Sequence, residues 1–173
     1  MMNSVADRCR AIATFRFVCI HLMETLARWT PTTPEMEAKI LFGRHIWDFA
    51  QHADRLGKRT FELRQAEHYT LRPADGYQSL LEELAASEST GARVAAFYDG
   101  MLPGLRARYQ SYLEGTDPIL DGPSVAILEP MVRDLERMRR DAAELQRETG
   151  LAVGGEALAA RERAFGSIVA QVA

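Results

Sequence analysis

The chain is poor in the features that mark cross-linked, membrane-spanning or nucleic-acid-binding proteins. It has two cysteines in 173 residues, Cys9 and Cys19. Both fall in one helical run, roughly 15 Å apart at 1.5 Å per residue, too far for a disulfide within it. They are also too widely spaced for a redox or zinc pair. A reducing cytoplasm is therefore the expected location. The most apolar stretch, residues 11–29, is broken by Arg16, His21, Glu24 and Arg28, so neither a signal peptide nor a membrane span is expected. Basic excess is missing as well. The net charge is −3, which gives no electrostatic case for a nucleic-acid partner. Arg133, Arg137, Arg139 and Arg140 cluster, but Asp134, Glu136, Asp141 and Glu144 interleave them, as on a solvated helix face.

What remains is a soluble, globular composition, long enough for one domain with a sizeable core. Pro and Gly clusters cut out long helical segments with hardly a strand signal between them. The first is expected over Val5–Trp29, ending at Thr30-Pro31-Thr32-Thr33-Pro34. Thr32 or Thr33 is expected to cap a second helix that reaches Arg64 or Glu67. A third is expected from Tyr77 to Leu102, continuing beyond Pro103-Gly104 through Tyr109 and Tyr112. Pro123 is placed to open a fourth, bent at Pro130 and reaching Thr149. Gly150, Gly154 and Gly155 then precede a final amphipathic helix carrying Leu158, Phe165, Ile168, Val169 and Val172. The expected fold is all-α: an up-and-down four-helix bundle over 1–149, with a Gly-containing linker and C-terminal helix over 150–173. That last helix would pack on the bundle or on a partner subunit.

Candidate chemistry follows from angular position, at about 100° per residue. His45, Asp48 and His52 lie at i, i+3 and i+7, with both histidines inside the apolar arc of the second helix. Glu88 is expected on the apolar face of the third helix, among Leu81, Leu84, Ala85, Ala92, Ala95 and Leu102. A buried carboxylate there needs a partner, such as Arg55, Arg59, a histidine, a metal or a substrate cation. Asp134 borders Ile127, Met131, Met138 and Leu145, while Glu24 shares a flank with His21. Tyr98 reads as core with a satisfied hydroxyl, Met131 and Met138 as packing, and His68 as a surface residue at a helix end.

This assembly resembles the ferritin-like superfamily. The stretch Gly43-Arg44-His45-Ile46-Trp47-Asp48-Phe49-Ala50-Gln51-His52-Ala53-Asp54 is similar to a segment of uncharacterised bacterial ferritin-like proteins. Di-iron members draw a Glu from each of two helices and a Glu-x-x-His pair from each of the others. Glu24 and Glu88 match the single carboxylates. The second helix has His-x-x-Asp and Asp-x-x-x-His instead, and the fourth has Asp134 without a histidine. The resemblance implies a metal set drawn from Glu24, His45, Asp48, His52, Glu88 and Asp134. Iron or manganese would be favoured, with zinc behind them.

Two classes of function follow. In one, the bundle oxidises a small organic substrate at a metal held between its helices. In the other it is metal-free, binding a small molecule or performing acid–base chemistry. His45 or His52 would then be the base, Asp48 its orienting partner and Glu88 the acid. A third, non-enzymatic alternative is a helical partner protein that forms a homodimer through its last helix.

Overall fold

The computed structural model describes residues 4–64, 69–151 and 154–170; Glu67, His68 and Val172 lie outside them. Helix α1 spans Val5–Trp29, begun by Ser4, whose side chain accepts the Asp7 amide at 3.0 Å. A 3-10 turn, Thr30–Thr32, contains Pro31 and ends the helix. The Thr30 and Thr33 hydroxyls donate to the Leu26 and Trp29 carbonyls, each at 2.8 Å, and the second of these satisfies an acceptor that the helix end would leave orphaned. Helix α2 spans Met36–Glu62, so it starts later than a Thr cap would place it, with Glu35 at the cap position and no side-chain cap bond.

The segment expected as one third helix is broken. Helix α3 is Asp75–Ala85, and α4 starts afresh at Thr90, with Ser89 capping the Ala92 amide at 3.2 Å. From α4 (Thr90–Val94) the chain runs through a π-helical segment, Ala95–Met101, into α5, Leu102–Gly115. Pro103 explains the widened turn. Its ring would clash with the Asp99 carbonyl in a regular α-helix, and it has no N–H to donate. The Leu102 amide accordingly reaches back to the Phe97 carbonyl, and the Arg139 Nε donates to the orphaned Tyr98 carbonyl at 3.2 Å.

Helix α6, Gly122–Thr149, begins with Pro123 in its first turn and runs through Pro130. Helix α7 is shorter than expected, Glu156–Ala164, so Phe165, Ile168 and Val169 follow it in a non-helical tail. Among the described residues there is no strand, and one isolated bridge joins Pro73 to Val169.

The long helices pack around a core containing Leu22, Leu26, Phe42, Phe49, Leu56, Phe97, Leu128 and Leu135. Each such side chain contributes about 1.5–3 kcal/mol when fully buried. Exposed ion pairs such as Lys58–Asp54 contribute at most about 1 kcal/mol, so apolar packing sets the arrangement. Cross-helix pairs fix the directions. Trp29 meets Phe42, and Arg16 reaches the Ala53 carbonyl, so α1 and α2 are antiparallel. Trp29–Phe97 and Phe15–Tyr112 make α1 antiparallel to the run 90–115. His45–Tyr98 and Glu35–Thr90 make α2 parallel to that run. Strict up-and-down alternation is therefore not what forms: the chain from α2 through α3 is a long crossover, and α6 then returns antiparallel to α2.

Two polar junctions lock this frame. Asp121, fully buried at the start of α6, accepts from Arg59 (2.9 Å), Tyr112 (2.7 Å), Thr116 (3.0 Å) and Ser124 (2.6 Å). Glu162 of α7, also buried, accepts from Arg108 at 2.6 Å and Tyr77 at 3.1 Å. Glu162 lies so close over Gly104 that a Cβ there would overlap its carboxylate. The buried side of α7 is thus occupied by its own bundle.

Candidate functional site

The seam between α2 and α6, buried at its two histidines and half-covered elsewhere, carries two matched polar triads. On α2, His45, Asp48 and His52 stand at i, i+3 and i+7; on α6, Asp134, Arg137 and Asp141 repeat that spacing. Because the helices run antiparallel, the triads meet member by member. His45 Nε2 lies 3.4 Å from Asp141 Oδ2, and His52 Nε2 lies 3.0 Å from Asp134 Oδ2. Between them, the Arg137 guanidinium donates to Asp48 Oδ2 at 3.0 Å. It also reaches Asp134 Oδ1 at 3.2 Å and Asp141 at 3.8 Å.

His45 is fully buried, and its second ring nitrogen is also engaged: Nδ1 lies 2.8 Å from the Tyr98 hydroxyl. An ionised carboxylate can only accept, so Nε2 carries the hydrogen toward Asp141 and Tyr98 donates to Nδ1. Burial pushes the imidazole down to about 4, against the pull of the Asp141 hydrogen bond, so the ring is neutral at physiological pH. Burial likewise drives the Tyr98 hydroxyl well above its ordinary range, keeping it protonated as a donor. The π-helical segment places this tyrosine, and such widened turns recur at functional sites.

His52 differs from His45. Its Nε2–H points to Asp134, but Nδ1 is buried without a hydrogen-bond partner. With the hydrogen on Nε2, Nδ1 is a bare lone pair; the Phe49 ring packs edge-on against the same imidazole, with ring centroids 5.8 Å apart. The His52 hydrogen bond, helped by Arg137, holds the Asp134 carboxyl below the usual range. Burial works against the Arg137 charge, but the hydrogen bonds it donates to Asp48 and Asp134 outweigh that cost and raise its pKa.

Of the residues expected to share a site, the seam brings together His45, Asp48, His52 and Asp134. Glu88 is not among them. The break after α3 puts it in the exposed connection before α4, so it needs no buried partner. Glu24 is exposed on α1. His21 is half-buried, with Nε2 3.2 Å from the Leu81 carbonyl, and it ties α1 to α3. Burial lowers its pKa. Sequence reasoning missed Asp141 and Arg137, having read them as part of a solvated face, and treated Tyr98 as ordinary core. Its hydroxyl is satisfied as expected, but by His45.

The donor set does not fit the expected metal. Glu24 and Glu88, its two single glutamates, are outside the seam. The three aspartates gather around the cationic Arg137, in the position that a metal would have to share. Among the described residues no group of three or more His, Cys, Asp or Glu side chains is arranged to hold one ion.

A cleft of about 550 Å³ lies elsewhere, between α5 and the C-terminal segment, with Phe15, Arg108, Tyr112, Glu162 and Phe165 in its wall. Two of its charged groups are engaged with each other: Arg108 binds Glu162 and also the Gly166 carbonyl. No helix among the described residues is long and apolar enough to cross a membrane. Compared with protein-family models, curated proteins and solved structures, the chain matches none.

Proposed function

We propose that the α2–α6 seam is a metal-free acid–base site acting on a small organic molecule with a removable proton. The buried, bare Nδ1 of His52 carries this reading. An imidazole fixed through one nitrogen by a carboxylate presents the other as a base, and the carboxylate stabilises the imidazolium that forms. In the proposed step a substrate C–H or N–H proton moves to His52 Nδ1. The electron pair stays on the substrate, where the Arg137 guanidinium offsets the developing charge. Tyr98, hydrogen-bonded through His45 to Asp141, replaces Glu88 as the second proton-bearing group. Substrate must enter by parting α2 and α6 on the side where Asp134 and Arg137 are only partly covered.

The crossover between α2 and the run 90–115 supports a ferritin-like bundle, since that superfamily is built with one long crossover connection. In this reading the chain keeps such a frame while Arg137 neutralises the carboxylates of its polar seam.

Solvent deuterium exchange into a panel of enolisable ketones tests the proposal. Wild type should accelerate exchange, and His52→Gln should abolish the acceleration while remaining folded. Exchange that is no faster with wild type, or equally fast with the variant, overturns the base assignment. A large rise in melting temperature with Fe²⁺, Mn²⁺ or Zn²⁺ that is lost in His52→Gln would restore the metal reading.

A further inference from the structure

Independently of the seam, α2 presents a second, outward stripe. Met36, Ile40, Gly43 and Trp47 fall within about 60° of arc at about 100° per residue. Met36, Ile40 and Trp47 are 61%, 58% and 66% exposed. Gly43 sits among them with nothing within 4 Å of where its Cβ would be, leaving a notch beside the indole. An amphipathic helix of a monomer normally turns polar residues outward, and large contiguous apolar exposure marks an interaction surface.

We infer that this stripe is a homodimer interface in which α2 packs antiparallel against α2 of a second copy, centred near residue 45. Self-complementarity selects both the occupant and the register. Across a two-fold axis at that point, Trp47 of each copy enters the Gly43 notch of the other, and Ile40 faces Ala50. The same register sets Glu37 of one copy level with Ala53 of the other, with Arg55 two residues, about 3 Å of helical rise, beyond that level and within reach of its long side chain. Glu37 and Arg55 lie about five helical turns apart on one flank of α2. Both are exposed, and neither makes an ion pair within its own chain among the described residues. A two-fold axis forms each of these contacts twice. A parallel pair would set Trp47 against Trp47 at one height and leave the Gly43 notch unfilled. The last helix, the other candidate for dimerisation, already has its buried side on its own bundle.

The test is sedimentation velocity from 1 to 300 µM, alongside tryptophan emission. Trp29 is buried in the monomer, so a concentration-dependent blue shift reports Trp47. Wild type should dimerise across this range, while Gly43→Glu and Trp47→Asp stay monomeric with an unchanged helical signal, since both positions are exposed. Glu37→Arg should weaken the dimer at least several-fold, and Glu37→Arg with Arg55→Glu should restore it. A wild type monomeric throughout overturns the inference. So does a dimer that survives Trp47→Asp, or a charge swap that fails to rescue.

Discussion

His52 and Asp134 lie 3.0 Å apart across the α2–α6 seam, yet the other nitrogen of the same ring is buried without a partner. His45, one heptad earlier on the same face, has both nitrogens engaged. Two histidines with the same helical address therefore carry different chemical potential. One is the centre of a closed Tyr98–His45–Asp141 chain, and the other is half of an open dyad.

Removing the carboxylate should change the His52 tautomer. With Asp134 present, the Nε2–H form is selected because a carboxylate only accepts. Asp134→Ala should populate the Nδ1–H form and cost about 1 kcal/mol for the lost hydrogen bond. Long-range ¹H–¹⁵N correlation spectra read the tautomer directly. An unchanged Nε2–H ring in the variant would show that Asp134 does not orient it.

Acid should destabilise the fold through His45. Its folded pKa, about 4, is below the ordinary value of 6.5. The unfolded chain therefore binds the extra proton first as pH falls, and stability is lost progressively from about pH 6.5 down to about pH 4. At 1.36 kcal/mol per unit the full effect is about 3 kcal/mol. His21, shifted the same way by burial, adds to it. Asp134, with its pKa lowered, loses its contribution only below the ordinary carboxylate range, so it does not confuse the window. Urea denaturation at pH 7 and pH 4.5 should show the drop, and His45→Gln should reduce the slope without erasing the His21 share. An identical slope in the variant would contradict the assignment.

Much of the helical order was legible because Pro and Gly breaks and apolar periodicity act locally. Val5–Trp29 and the start of α6 at Pro123 are set by their own residues. The division of the third helix was harder to see. Ala86–Ser89 contains neither Gly nor Pro, and the signal there is the quieter Ser89 cap. Missing it rotated Glu88 onto an apolar face that it does not occupy. The seam was half legible. The triad on α2 stood out against an apolar arc, whereas its counterpart on α6 was hidden among interleaved arginines and acids. An i, i+3, i+7 match between two helices becomes meaningful once their direction is known, and the crossover that sets direction is a tertiary fact.

Glu88 now supplies a negative control. Because it is exposed in the α3–α4 connection, Glu88→Gln should change stability by no more than about 0.5 kcal/mol. The titration of His45 followed by NMR should not move. A shifted curve would mean that the connection folds back onto the seam.

Asp121 should be far less tolerant. It is fully buried, and four donors converge on it. Their hydrogen bonds outweigh the cost of burial and hold the carboxyl below its ordinary range. Asp121→Ala takes the carboxylate from the largely buried Arg59 guanidinium and from three hydroxyls, and should cost roughly 3–5 kcal/mol. Chemical denaturation should show a midpoint far below that of Asp54→Ala, which breaks an exposed pair.

The π-helical segment gives the sharpest link between backbone and site. Pro103 cannot donate to the preceding turn, so the helix widens there, and Tyr98 is held with its hydroxyl on His45 and its carbonyl on Arg139. Pro103→Ala restores an N–H and removes the ring clash, allowing the segment to tighten into ordinary α-helix. Tightening by one residue rotates Tyr98 by about 100° around the axis, which would carry its hydroxyl away from His45 Nδ1. The helix itself should not be weakened, since Ala is the better helix former by about 3 kcal/mol. The expected result is therefore a fold with undiminished helical signal, a changed near-ultraviolet spectrum from the displaced tyrosine, and a His45 ring that no longer receives the Tyr98 proton. An NMR coupling or shift still reporting the Tyr98–His45 hydrogen bond in Pro103→Ala would show that packing, not the proline, imposes the π turn. Its loss in a fully folded variant would tie the geometry of the seam to that one missing N–H.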